Sequence, residues 1–176
     1  KEILIICRGG GDLATGIVHR LFRAGYQVLI LETAEPAAIR RQVSFCEAVY
    51  EGTATVEGVT AERICTAKKQ AVEEVLQRGR IPILVDPDGR SIEVLKPDVV
   101  VDAIIAKKNL GTYKEMAPLV IGIGPGFVAG KDVHLVVESM RGHNLARILE
   151  TGSALANTGI PAFINSFWIT SAFVFI

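Results

Sequence analysis

The residues of this chain best suited to binding chemistry are the glycines that follow its first apolar run. Gly9, Gly11 and Ala14 have the spacing G-x-G-x-x-G/A, with Gly10 inside it and Gly16 two residues beyond. Such glycines let the backbone turn tightly and approach a phosphate group, whose charge is met by N–H groups at the start of the following helix. The spacing predicts a site for a phosphate-bearing ligand, and the alternative is a glycine-rich turn that binds nothing.

Acidic and hydroxyl side chains accompany this turn. Glu32 lies about 20 residues further on, where a carboxylate can accept hydrogen bonds from ribose hydroxyls. Asp12 lies inside the turn, where it either places negative charge near the phosphate or caps the helix through its carboxylate. Thr15 offers a hydroxyl group to the ligand.

Basic residues in two other segments suit an anionic ligand. Arg40 and Arg41 follow the second predicted strand, and arginine can bind phosphate through two parallel hydrogen bonds, although the pair also fits a solvated surface. Lys107, Lys108 and Asn109 follow a later apolar strand, at the edge where open α/β sheets bind their ligands. We expect Arg40, Lys107 and Asn109 to contact the ligand.

The elements that position these residues alternate between strand and helix. The run from Ile3 to Cys7 is apolar throughout, as in a strand covered on both faces, and Leu13, Ile17 and Leu21 recur on one helical face. The alternation predicts a Rossmann-like, doubly wound parallel sheet. The later elements are predicted as a helix at 36–51, a hairpin of strands 53–56 and 59–65, a helix after Thr66, a strand at 81–85, a helical turn at 91–95, and strands at 98–106, 119–123 and 133–137.

Three parts of the chain differ in composition and in predicted structure. Residues 1–112 are predicted to form the Rossmann-like ligand-binding domain, and residues 113–161 a small β-rich part that we expect to be truncated. Residues 162–176 form an apolar tail without charge. About 14 apolar residues are too few to span a bilayer, which needs roughly 20, so we expect no membrane partner.

The composition narrows the classes of partner and chemistry. Nineteen basic residues balance 19 acidic ones, so the chain has no general attraction for nucleic acid. Its three scattered cysteines suit a reducing, cytoplasmic environment. The spacing of cysteines and histidines predicts no metal site, and no arrangement in the sequence identifies a catalytic group.

Several segments, in their order, resemble the YqeB family of accessory proteins from selenium-dependent molybdenum hydroxylase systems. They are RGGGDLATGIVHRLFRAGYQVLILE, AIRRQVSFCEAVYEG, TVEGVTAERI, ILVDP, LKPDVVVDAIIAKKNLGT, MAPLVIGIGPGFVAGKDVHLVVES, RGHNLARIL and ANTGIP. The resemblance extends from about Ile3 to Pro161, and AFINSFWITSAFVFI then replaces the glycine-containing sequence expected of the family. In its Rossmann-like part the family is similar to the XdhC proteins, which bind molybdenum cofactor and help to mature xanthine dehydrogenase-type enzymes.

This resemblance implies a function. The turn from Arg8 to Gly16 would be the ligand-binding loop, and Lys107 to Thr112 a second contact. The chain would bind molybdenum cofactor, as molybdopterin or its dinucleotide form, and serve a molybdenum hydroxylase apo-enzyme or other maturation proteins rather than catalyse a reaction. The alternatives are an NAD(P)-binding oxidoreductase that uses Glu32 to hold ribose, and a regulatory Rossmann module without a ligand. Association into a homo-oligomer is a further expectation.

Overall fold

Strands and helices alternate along most of the chain. The computed structural model describes residues 2–156, 163–164 and 167–168. The strands are β1 (Leu4–Arg8), β2 (Gln27–Glu32), β3 (Thr53–Val56), β4 (Val59–Ile64), β5 (Ile81–Val85), β6 (Val99–Asp102), β7 (Leu119–Ile123), β8 (Leu135–Val137), β9 (Ile148–Leu149), β10 (Phe163–Ile164) and β11 (Phe167–Trp168). The α-helices are α1 (Asp12–Arg23), α2 (Ala48–Glu51), α3 (Lys69–Gln77) and α4 (Arg90–Leu95), and 3-10 turns lie at Arg41–Val43, Phe45–Glu47 and Lys114–Met116.

The first nine strands form one sheet, in the order β3-β4-β5-β2-β1-β6-β7-β8-β9. Neighbouring strands are parallel except at the two edges, where β3 pairs with β4 and β8 with β9 in antiparallel fashion. The central strands β1, β2 and β5 are almost wholly apolar, which strands need when they are covered on both faces. This architecture confirms the predicted Rossmann-like α/β fold.

Helices cover the two faces of the sheet through separate cores. On one face, Ala14 and Val18 of α1 share a buried cluster with residues of β1, β2, β4, β5 and β6. On the other face, Val72 and Val75 of α3 and Ile92 of α4 pack with alternate residues of the same central strands. The chain leaves β1 toward β2 on one side and later returns to its other side as β6, so the strand order reverses at β1.

The predicted helix over residues 36–51 is wrong for most of its length, since only Ala48–Glu51 is α-helical. Ser44 is extended, with φ −126° and ψ 124°, and interrupts the two 3-10 turns. The N–H of Phe45 donates to Thr15 Oγ1 at 2.9 Å, and the N–H of Cys46 donates to Gly10 O at 2.8 Å. These N–H groups therefore bind the glycine turn instead of carbonyls of their own helix.

The part after residue 112 continues the same sheet. Strands β7, β8 and β9 follow β6 in order across the sheet. The connection from β6 to β7 contains the 3-10 turn at Lys114–Met116. The boundary near residue 112 stays a prediction, as does the truncation of the second part. Apart from the short strands β10 and β11, the predicted apolar tail lies outside the described residues.

Candidate functional site

The predicted site residues meet where the strand order reverses. Arg8, Glu32 and Asp102 end the adjacent strands β1, β2 and β6, and Arg8 lies in register with Asp102. Open α/β sheets bind ligands in the crevice at such a reversal, outside the carboxyl ends of the strands. The glycine turn after β1 and the segment after β6 form the two sides of this position.

Two of the glycines are required by packing. Gly9 has φ +101°, and a Cβ added there would lie 3.0 Å from the carbonyl oxygen of Ala103, the residue after β6. A Cβ on Gly10 would lie 3.2 Å from the N atom of Cys46. Neither position leaves room for a side chain, so both glycines allow close approach of backbone segments within the protein.

Gly11 and Gly16, unlike Gly9 and Gly10, have space for a side chain. A Cβ on either residue would meet nothing within 4 Å. Gly11 has φ −64° and ψ −179° and forms the N-cap of α1, a conformation that other residues also adopt. Ala14 lies on the face of α1 that is buried against the sheet, as the third position of the spacing requires for close packing of helix on strand. The open side of the turn is therefore the side of Gly11.

Glu32 binds the turn itself. Its Oε2 accepts a hydrogen bond from the N–H of Gly10 at 2.7 Å, and its Oε1 accepts one from the N–H of Thr33 at 2.8 Å. Thr15 also serves the turn, since its buried hydroxyl donates to Gly10 O at 3.2 Å and accepts from the N–H of Phe45. Ligand contacts by Glu32 and Thr15 stay predictions, and both side chains hold the glycine turn in its shape.

The start of α1 keeps unused donors. No described residue accepts a hydrogen bond from the N–H groups of Gly11 and Asp12, while the N–H of Leu13 donates to Asp12 Oδ1 at 2.9 Å. Donors of this kind, together with the helix dipole, favour a bound anion.

The charge of Asp12 is balanced by an arginine. Nε and Nη2 of Arg40 lie 2.7 Å and 2.5 Å from Asp12 Oδ2. Arg41 instead forms a two-point contact with Glu47, through Nε at 2.7 Å and Nη2 at 2.5 Å, and lies over the Tyr50 ring. The sequence left open whether Asp12 places negative charge near the phosphate or caps the helix. Gly11 is the N-cap of α1, and the carboxylate of Asp12 is paired with Arg40.

The segment after β6 forms the second side of the site. Ile105 and Lys107 have φ values of +58° and +61°, which are costly for residues other than glycine. Asn109 closes a short turn, since its Nδ2 donates to Thr112 O and its Oδ1 accepts from the Thr112 N–H, each at 2.7 Å. Lys107 and Lys108 are exposed. Asn109 thus shapes this segment, and ligand contacts by Lys107 and Asn109 stay predictions.

A buried polar network beneath this segment is the feature that sequence reasoning missed. Nη1 of Arg8 donates to the hydroxyl of Thr112, which in turn donates to Asp102 Oδ2 at 2.5 Å. Nη2 of Arg8 donates to the carbonyls of Pro87 at 3.0 Å and Leu110 at 3.3 Å. Each of these three polar residues is 2 % exposed.

The network joins the ends of β1, β5 and β6 to the segment that ends at Thr112. Asp102 completes its bonding through Oδ1, which accepts from the Ile104 N–H at 3.1 Å. Arg8 was predicted as a ligand contact, and the structure places its guanidinium inside the protein. Its pairing could have been inferred from the sequence, because Arg8 follows one apolar strand and Asp102 lies inside another that is predicted to be parallel, where a buried carboxylate needs a partner.

The cysteine beside the turn stays protonated at neutral pH. Burial raises the pKa of the Cys46 thiol to about 11, with the nearby carboxylates of Glu32 and Glu47 adding to the effect. Burial likewise raises the pKa of Cys7, next to Asp102 and Glu32. Neither thiol has the thiolate character that a nucleophile needs. Within the described ranges, no three His, Cys, Asp or Glu side chains are grouped to hold a metal ion.

No helix in the described part of the chain is long and apolar enough to cross a membrane. Comparison with protein-family models found no match, and no solved structure matches the chain.

One curated protein matches strongly. The chain is 49% identical over 161 residues to the uncharacterized protein YqeB of Escherichia coli strain K12, and the match covers 92% of this chain. The matched part is 29% of the length of that relative. The chain therefore belongs to the YqeB family.

Proposed function

We propose that this chain is an accessory protein for the maturation of molybdenum hydroxylases and that it binds a phosphorylated pterin cofactor at its glycine turn. The observation that carries the proposal is the pair of unused N–H groups at Gly11 and Asp12, at the start of α1 and at the strand reversal. A pterin cofactor of the molybdopterin type ends in a phosphate, which is the group such donors bind. Membership of the YqeB family supports the same assignment through the resemblance given above.

The surrounding side chains suit a carrier rather than a catalyst. Arg40 balances the carboxylate of Asp12, so that a phosphate can approach the start of α1 without facing an uncompensated negative charge. Burial raises the pKa of the Cys46 thiol to about 11, so this thiol does not offer a nucleophile at neutral pH. The lysines of the segment after β6 are exposed and can add positive charge at the second side of the site.

Retention of the cofactor tests the proposal. The purified chain, incubated with molybdenum cofactor and then desalted, should retain a pterin that becomes fluorescent after oxidation. Gly11→Ala should abolish retention without lowering the melting temperature, because Gly11 has open space and an ordinary φ. Gly16→Ala is the matched control, since it adds the same methyl group to open space one helical turn away and should keep retention.

Two outcomes would contradict the proposal. Equal retention by wild type and Gly11→Ala would show that the cofactor binds elsewhere. A rise in melting temperature with millimolar NAD or NADP, without retention of the pterin, would favour the oxidoreductase alternative, because a ligand of the folded state stabilises it by mass action.

A further inference from the structure

One face of the sheet is apolar beyond β1 and yet only partly covered: Val99, Ile121 and Ile123 pack against the edge of the core under α1, and Ile148 is 61% exposed. We define the open face as the side chains of Val99, Leu119, Ile121, Ile123, Leu135, Val137 and Ile148. Strand register places them together: Val99 lies opposite Leu119, Ile121 lies opposite Leu135, and Ile123 lies opposite Val137, which lies opposite Ile148.

The two faces of the same strands differ in burial. Val100, Val120 and Val136, which point to the opposite face, are all 0% exposed. Their neighbours in the open face are partly exposed, and Ile148 is 61% exposed. The difference arises within single strands, so it reflects what lies over each face.

The composition of the open face is that of a covered surface. A sheet face in contact with water carries alternate polar residues, whereas strands covered on both faces are apolar throughout. All seven residues of the open face are valine, leucine or isoleucine. The sequence of β6 to β9 is thus built for burial on both faces.

The described residues cannot supply the cover. Parallel crossovers are right-handed, so the connections from β6 to β7 and from β7 to β8 cross on the face that α3 and α4 occupy. The helices on the other face are α1, which packs on β1 and β2, and α2, which packs on β3 to β5. Both lie over the half of the sheet away from β7 to β9.

The dimensions of the open face fit helices. Four strands at about 4.8 Å spacing are roughly 19 Å wide, and a five-residue strand is roughly 16 Å long. Two helices of about 10 Å diameter, lying side by side, cover that width. A stable interface with a second copy buries about 800 Å² of accessible surface per partner, so a second copy would have to cover surface beyond the roughly 300 Å² footprint of the open face.

We propose that the open face is the docking surface for two amphipathic helices with aliphatic faces, supplied by the part of the YqeB polypeptide outside the matched residues. The matched residues are 29% of the E. coli relative, so that protein has ample chain to supply them. The cover completes the second layer of helices that a doubly wound sheet requires on each face.

Thiol labelling tests the assignment. In a Cys65→Ser background, which removes the exposed cysteine and keeps the buried Cys7 and Cys46, we introduce Ile148→Cys on the open face. Val94→Cys is the matched control, since Val94 is 69% exposed on α4 over the opposite face. Each variant is labelled with a maleimide in this chain alone and in a chimera where this chain replaces the matched part of full-length E. coli YqeB.

The expected result is slower labelling of Ile148→Cys in the chimera, by about tenfold or more, with Val94→Cys unchanged, because a covered thiol reacts only after local opening. Cysteine at the residue aligned with Ile148 in full-length E. coli YqeB gives the same measurement without an artificial junction. Equal labelling of Ile148→Cys in both proteins overturns the proposal. Protection that rises with concentration in this chain alone also overturns it, in favour of a second copy.

Discussion

Thr112→Val isolates the contribution of the buried network from that of side-chain volume. Valine has nearly the shape of threonine but no hydroxyl, so Nη1 of Arg8 loses its acceptor and Oδ2 of Asp102 loses its donor. The remaining partners stay in place: Arg8 keeps the carbonyls of Pro87 and Leu110, and Asp102 keeps the Ile104 N–H.

The expected cost follows from the two groups left without a partner. A buried polar group that loses its hydrogen bond costs about 1–3 kcal/mol, and more if it is charged. The charged groups of Arg8 and Asp102 are 3.6 Å apart, and their mutual attraction offsets part of this loss of free energy. We therefore expect a loss of about 3 kcal/mol, which for a protein of this size lowers the melting temperature by roughly 6–12 °C.

Urea and thermal denaturation, followed by circular dichroism, measure this loss. Thr60→Val is the matched control, because the hydroxyl of Thr60 pairs with that of Thr55 at 2.9 Å in an exposed hairpin. Its loss should be within about 0.5 kcal/mol, as for most surface substitutions. If Thr112→Val costs no more than Thr60→Val, the network does not hold the segment after β6, and the role assigned to Arg8 is wrong.

Three further predictions concern the turns around the site. Gly9→Ala should lower the free energy of unfolding by about 1–3 kcal/mol, because it forces φ +101° on a residue with a side chain. Gly11→Ala should leave the melting temperature unchanged. Similar losses of stability in the two variants would contradict the geometry assigned to the turn. Burial raises the pKa of the Asp86 carboxyl, but hydrogen bonds from Ser91 and from backbone N–H groups outweigh this and lower it below 3.8. The ionised carboxyl of Asp86 therefore contributes its full stabilisation above about pH 4, and this contribution is lost as the pH falls through the lowered pKa. Asp86→Asn should make the free energy of unfolding fall less steeply with decreasing pH in the acid range. Substitution of the exposed Asp88, as Asp88→Asn, should leave that pH dependence unchanged. Arg40→Gln should change stability by less than about 1 kcal/mol, as for exposed ion pairs, but should weaken retention of molybdenum cofactor; retention equal to that of wild type would exclude Arg40 from the site.

The sequence predicted the elements whose formation depends on local pattern. The apolar runs of β1, β2 and β5, the helical face of α1, and the hairpin around Glu57 and Gly58 are all present. Glu57 and Gly58 have φ values of +46° and +79°, the conformation of a tight two-residue hairpin turn. Each of these features is specified by residues that are neighbours in the chain.

The errors lie where distant segments decide the local structure. Residues 36–47 carry helical periodicity, but Phe45 and Cys46 find hydrogen-bond acceptors in the glycine turn, and Ile39 is left 78% exposed. Periodicity cannot register an acceptor that lies 30 residues away in the chain. The bridging role of Thr112 was missed for the same reason, since it depends on the register of β1 against β6.

These tertiary contacts limit which glycines of the G-x-G-x-x-A motif can contact a phosphate. Gly9 lies against Ala103, Gly10 is held by Glu32 and Cys46, and both glycines are buried. A phosphate can therefore meet the turn only at Gly11 and at the N–H groups that begin α1. It follows that substitutions at Gly9 and Gly10 report on folding, and that Gly11 is the position in this turn where a methyl group separates ligand binding from stability.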